Sequence, residues 1–139
     1  MTLRATVLFV VVLALLAPSA VTGASTQRSE DPKTTLLRQA TLLKQAKWRE
    51  MYATFTARFR RSCPYAKFVS QQRRTRQFLG TRFQLRGIQI RLETASRAII
   101  AYRFVRDGRT IAAVTLKNRD VYRLVGSRWY DDLDRVSTC

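Results

Sequence analysis

"RAIIAYRFVRDGRTIAAVTLK", residues 97–117, holds two β-rich runs around Asp107-Gly108. Asp-Gly between alternating apolar runs is the strongest short-range hairpin signal, because both residues tolerate the positive φ that a tight turn needs. A two-residue loop would place Phe104 opposite Ile111 and Tyr102 opposite Ala113. Both parities of the two runs are apolar, Ile99 and Val105 as well as Ile100 and Phe104. One face is expected to pack on helices. The other is expected to be at least partly covered, with a second subunit as the simplest cover.

Outward toward the N-terminus, "TRFQLRGIQIRLE" (81–93) alternates with a parity change at Gly87. A bulge at Gly87 would keep Phe83, Leu85, Ile88, Ile90 and Leu92 on one face and bend the strand. Outward toward the C-terminus, Asn118-Arg119 reads as a second turn, "DVYRLV" (120–125) as a further hairpin arm, Gly126-Ser127 as a third turn and "RWYDDLD" (128–134) as the closing strand.

Before the strands the period is helical. Asp31-Pro32 reads as an N-cap followed by proline at the first helical position. Leu36, Leu37, Ala40, Leu43, Met51, Phe55 and Phe59 then recur at helical spacing, as one long helix or two with a bend near Lys47–Trp48. Ser62 or Cys63, with Pro64, opens a second helix whose apolar positions are Tyr65, Phe68, Val69, Phe78 and Leu79, closed by Gly80. Helices followed by strands give an α+β domain: N-terminal helices packed on a strongly curved antiparallel meander of four to five strands, cone-like in shape.

The chain has 139 residues, room for one domain. Residues 1–24 read as a cleaved signal peptide: Arg4, an apolar run from Val7 to Ala17, Pro18, then small residues. The run is shorter than the ~20 residues that span a bilayer. Residues 25–31 form a flexible lead and 32–139 the domain. The expected destination is secreted, or the periplasm or cell envelope.

Twenty-six Lys and Arg face nine Asp and Glu, a formal net charge of +17. Such a charge attracts polyanions, and for an exported chain an anionic envelope polymer or anionic lipid surface fits better than a specific nucleic acid. The bland alternative is a solubilising arginine surface, and the arginines are spread from Arg28 to Arg135 rather than clustered. Histidine is absent, which removes the commonest general base and metal ligand and every Ser/His/Asp or Cys/His arrangement. No metal and no cofactor is expected. Cys63, at a helix start, could be a reactive thiol. Export favours a Cys63–Cys139 disulfide instead, closing a long loop and tying the C-terminus to the second helix.

Three stretches carry a resemblance: Trp48–Phe59, Cys63–Phe68 within "RSCPYAKF", and "VYRLVGSRWYDDLD" around Trp129. Together they resemble the nuclear-transport-factor-2-like superfamily, and more narrowly its small secreted actinobacterial-type members. The resemblance implies a curved sheet wrapped around helices with a pocket at the open end. The chain lacks a clear early strand pair between its helices, which implies a smaller cone. The superfamily holds isomerases, dehydratases and cyclases beside binding and dimerisation modules, so the fold alone does not choose among them.

An isomerase-type site needs a carboxylate base in an apolar cavity with a tyrosine or acid donor. Glu30 and Asp31 lie in the lead, Asp107 is a turn residue and Asp120 begins a strand; Glu50, Glu93, Asp131, Asp132 and Asp134 remain, and of these Asp131 or Asp132 beside Trp129 and Tyr130 is the most site-like. Tyr52, Tyr102 and Tyr122 are the candidate donors, with Tyr102 first. Trp48, Tyr52, Tyr102 and Trp129 are the candidate pocket lining, although aromatics at these spacings also suit a core. The scarce acids would otherwise pair with arginines. The leading expectation is a non-enzymatic binding or interaction domain with a basic surface, dimeric. A small-molecule-binding or isomerase/dehydratase-like cone enzyme is the alternative, and a cationic membrane-active protein the third reading.

Overall fold

The computed structural model describes residues 30–132. The expected signal peptide, Asp134 and Cys139 lie outside them. Four helices, α1 (Pro32–Gln45), α2 (Trp48–Ala53), α3 (Ala57–Ser62) and α4 (Tyr65–Leu79), precede five strands. The strands are β1 (Gln84–Thr94), β2 (Arg97–Arg106), β3 (Arg109–Val114), β4 (Asp120–Val125) and β5 (Arg128–Asp131). The α+β class and its order follow the sequence reading. Among the described residues, no helix is long and apolar enough to cross a membrane.

Asp31 caps α1 as its sequence predicts, its carboxylate accepting from the Lys33 N–H at 2.8 Å, with Pro32 at the first turn. The end of the expected lead is tied down: the Glu30 N–H donates to the Ser127 carbonyl at 3.1 Å. The bend near Lys47 is real. Ala46 takes a left-handed φ of 55°, and the Lys47 N–H closes the helix end on the Leu42 carbonyl at 3.0 Å.

A second break, at Thr54–Thr56, is not visible in the helical period. Here the chain pairs with β5: the Asp131 N–H donates to Thr54 (3.0 Å) and the Thr56 N–H donates to Asp131 (2.9 Å). The long-range ladder overrides local helix propensity. The start of α4 also differs from expectation. Ser62 is the last residue of α3, Cys63 follows it, and Pro64 rather than Ser62 or Cys63 holds the N-cap position. Phe78, expected inside, is 63% exposed.

Register corrects the strands too. The Asp107-Gly108 turn has two residues, both at positive φ, as a type I′ turn requires. Past Val105–Thr110 the register slips, so Phe104 faces Ala112 and Tyr102 faces Val114, not Ile111 and Ala113. Gly87 sits at φ 60° where the β1–β2 register breaks between Arg86 and Gln89. Ile90 and Leu92 nonetheless remain exposed at 37% and 61%.

The Asn118-Arg119 stretch is not a hairpin. β3 and β4 both pair with the same edge of β2, β3 with its second half and β4 with its first. Residues 115–119 therefore leave that edge and rejoin it in the same direction. Asn118 holds the excursion, its side-chain oxygen accepting from the Thr115 N–H (2.7 Å) and hydroxyl (2.6 Å). Gly126-Ser127 closes the β4–β5 hairpin as expected, with positive φ at Gly126.

Two apolar clusters result. One lies among the helices, centred on Phe55, Phe59, Cys63, Phe68 and Phe83. The other joins Leu36 of α1 to Ala98, Ile100, Tyr102, Tyr122 and Trp129 of the sheet. Alternation along β2 puts residues 98, 100, 102 and 104 toward the helices and 97, 99, 101 and 103 on the outer face.

Candidate functional site: an acidic cavity in a basic protein

Between α1, α4 and the inner face of the sheet lies a cavity of about 180 Å³. Leu36, Leu43, Met51, Phe55, Leu85 and Phe104 supply most of its apolar wall, and Gln39, Gln72, Thr75, Tyr102, Asp120 and Asp131 its polar groups. Register delivers the polar groups. Asp120 lies opposite Ile100, so it shares the inner face with Ile100 and with Tyr102, two residues along β2. The Tyr102 hydroxyl donates to Asp120 Oδ2 at 2.5 Å. Tyr122, two residues along β4 from Asp120, donates its hydroxyl to Gln39 Oε1 at 2.8 Å. The Gln39 amide in turn donates to Thr54 Oγ1 (2.9 Å) and Asp131 Oδ2 (3.2 Å). Among the described residues no buried side-chain polar atom lacks a partner.

Burial raises the Asp120 carboxyl to about 6, against a smaller lowering by the Tyr102 hydrogen bond. Burial, with the Asp120 charge beside it, holds Tyr102 well above the ordinary tyrosine range. Burial, with the charges of Asp131 and then Asp120 nearby, raises Tyr122 as well. The Asp120 carboxylate can accept further hydrogen bonds, whereas the hydroxyl protons of Tyr102 and Tyr122 are already given to acceptors. Among the described residues, two carboxyl groups line the cavity and no lysine or arginine does. In a chain of net charge +17 that is a marked local reversal.

Of the acids singled out from sequence, Asp131 lines the cavity and Asp132 does not. Asp132 is buried on the other side, bound by Arg58 (2.8 Å), the Thr56 hydroxyl (2.6 Å) and Arg123. Burial alone would raise its carboxyl, but these donors outweigh burial and lower it. Asp132 is a structural clamp between the start of α3 and β4.

Of the expected lining, only Tyr102 faces this cavity. Trp48 and Tyr52 pack against the helical core, and the Tyr52 hydroxyl donates to the carbonyls of Arg60 (2.8 Å) and Cys63 (2.6 Å). Trp129 lines a separate hollow of about 430 Å³ with Glu30, Arg38 and Tyr130. Cys63 is completely buried and is not a free thiol, so the reactive-cysteine reading falls. Its expected partner, Cys139, lies outside the described residues.

Asp120 and Gln39 escaped the sequence reading. The signal for Asp120 was present in "DVYRLV": Asp120 shares parity with Tyr122 and Leu124, both inward residues. Gln39 gives no comparable signal, since a polar residue in an amphipathic helix reads as solvated. Among the described residues, no group of three His, Cys, Asp or Glu is placed to hold a metal ion. No family model matches this chain, and a search of curated proteins finds no match.

Proposed function

We propose that this domain binds a small, largely apolar molecule bearing a cationic or hydrogen-bond-donating head, which Asp120 receives. The observation that supports this is the cavity's inverted charge: Asp120 and Asp131, with no basic lining residue among the described ones. A cavity of about 150 Å³ accepts benzene, so this one takes a single ring and a short polar head. An anionic ligand would meet the Asp120 carboxylate and an unfavourable desolvation.

The test compares benzylamine with benzoate by calorimetry at pH 7.5, where Asp120 is ionised. Benzylamine is expected to bind at least about tenfold tighter, roughly the value of one charge-assisted hydrogen bond, with the preference lost in Asp120→Asn. Equal affinities, or a preference for benzoate, contradict the reading.

Proton transfer of the isomerase or dehydratase type is the second reading. It is favoured by an acid raised to about 6 in an apolar cavity, near the poise of a general base. Solvent deuterium incorporation next to the carbonyl of cyclohexanone, present in the wild type and lost in Asp120→Asn, would support it. No incorporation above the uncatalysed rate would remove it.

The proposal includes the resemblance to nuclear-transport-factor-2-like proteins, export after loss of the leader, and a bridge from Cys63 to Cys139. Intact mass of the secreted protein tests the last two. A leaderless mass with no alkylated cysteine is expected, and two alkylated thiols in the native protein would refute the bridge.

A further inference from the structure

The outer face of the sheet treats its arginines in two ways. Toward the β1–β2 turn, Arg91 (3.5 Å), Arg97 and Arg119 (3.8 Å) gather around Glu93. Arg58 and Arg123 share Asp132. Each cluster is built on an acid. At the opposite end, by the Asp107-Gly108 hairpin, a groove of about 750 Å³ is lined by Arg82, Arg86 and Arg103.

Counter-charge is sparse in that groove. Among the described residues Asp107 is its only acid, and it reaches Arg82 at 3.7 Å with both side chains highly exposed. Arg86 donates to the neutral Gln84 Oε1 at 2.7 Å. Among the described residues Arg103 has no acidic partner. Its guanidinium lies against Gly87, with Nη2 only 3.2 Å from where a Cβ would stand. The bulge glycine, at φ 60°, leaves room for that guanidinium beside the strand. Arg86 and Arg103 are paired directly across β1 and β2, so like charges face each other in register. Such a pair is unfavourable in the absence of an anion between them.

We propose that Arg82, Arg86 and Arg103 form a site for a phosphate group, distinct from the acidic cavity on the other side of the sheet. Guanidinium forks match phosphate oxygens bidentately. The facing Arg86 and Arg103 supply two forks, and Arg82 a third charge at the rim. The inference does not depend on what the cavity binds.

The experiment titrates the full-length chain with inorganic pyrophosphate at about 0.15 M salt, where exposed charges are screened beyond ~8 Å. The Arg86→Gln/Arg103→Gln protein should bind at least about tenfold more weakly, at the loss of about 1.4 kcal/mol that a tenfold change represents. Arg91→Gln, on the acid-paired end, should stay within about twofold. Thermal unfolding checks that both variants keep the fold, and Arg103→Lys, which keeps charge but not the fork, should fall between wild type and the double variant. Vesicles containing phosphatidylglycerol identify the source. Loss of vesicle and pyrophosphate binding together assigns a lipid headgroup; loss of pyrophosphate binding alone assigns a soluble phosphate compound. Undetectable wild-type binding, an unaffected double variant, or equal loss in Arg91→Gln overturns the proposal.

Discussion

Asp120 and Asp132 stand at the same open end of the β4–β5 hairpin, one at the start of β4 and one just past β5, and are treated in opposite ways. Asp132 is nearly inaccessible and surrounded by donors, two of them guanidinium groups, which hold its carboxyl below the ordinary range. Asp120 faces an apolar cavity with one tyrosine donor, and burial raises it to about 6. The protein has 26 basic residues for nine acids, yet among the described residues none lines the cavity. Pairing with arginine is the default for acids here, as Glu30, Glu93 and Asp107 also show. A departure from that default marks the site.

Removing the clamp should have the largest effect. Asp132→Asn is expected to cost about 2–3 kcal/mol near pH 7, the scale of lost charge-assisted hydrogen bonds at a buried carboxylate. Its folded value is depressed, so its stabilisation is present above about pH 4 and is lost as pH falls through the folded value. Denaturant titration from pH 3 to pH 7 checks this. A variant as stable as wild type at pH 7 would mean that Asp132 and Asp120 do not differ as described.

The cavity acid should show the opposite sign. The fold holds the Asp120 proton more tightly than the unfolded chain does, so ionisation of Asp120 opposes folding. Wild type should lose on the order of 1–3 kcal/mol as pH rises from about 4 to beyond 6. Asp120→Asn should escape that loss and be the more stable protein at pH 8, with the two converging near pH 4. Greater stability of wild type at pH 8 would show that its carboxylate is compensated.

Much of the architecture was legible because local chemistry wrote it. Asp31-Pro32, Asp107-Gly108 and Gly126 each specify a backbone conformation that the structure adopts. Where the reading failed, the deciding partner is distant in sequence. The helix breaks at Thr54–Thr56 because β5 pairs there, and Asp131 lies far along the chain. Nothing around Asn118 says whether the chain turns back or resumes the same edge; the partner strand β2 decides it.

The site was half legible. Asp131 and Tyr102 could be singled out by neighbourhood and residue type. Asp120 reads as a strand start, although its parity with Tyr122 points inward. Gln39 became part of the site only through α1 crossing the inner face, where it links Tyr122, Thr54 and Asp131.

Smaller still is the effect of the tyrosine. Tyr102→Phe removes the hydrogen bond that lowers Asp120, and should move the carboxyl further up by less than about one pH unit. The most direct test of the account is the titration of Asp120 itself, by NMR of its side-chain carboxyl carbon in wild-type protein. A midpoint near 6, rising in Tyr102→Phe, is the predicted result. A midpoint near 4, the ordinary aspartate value, would mean that Asp120 is solvated or paired with a cation, and that the acidic cavity does not exist as a binding site.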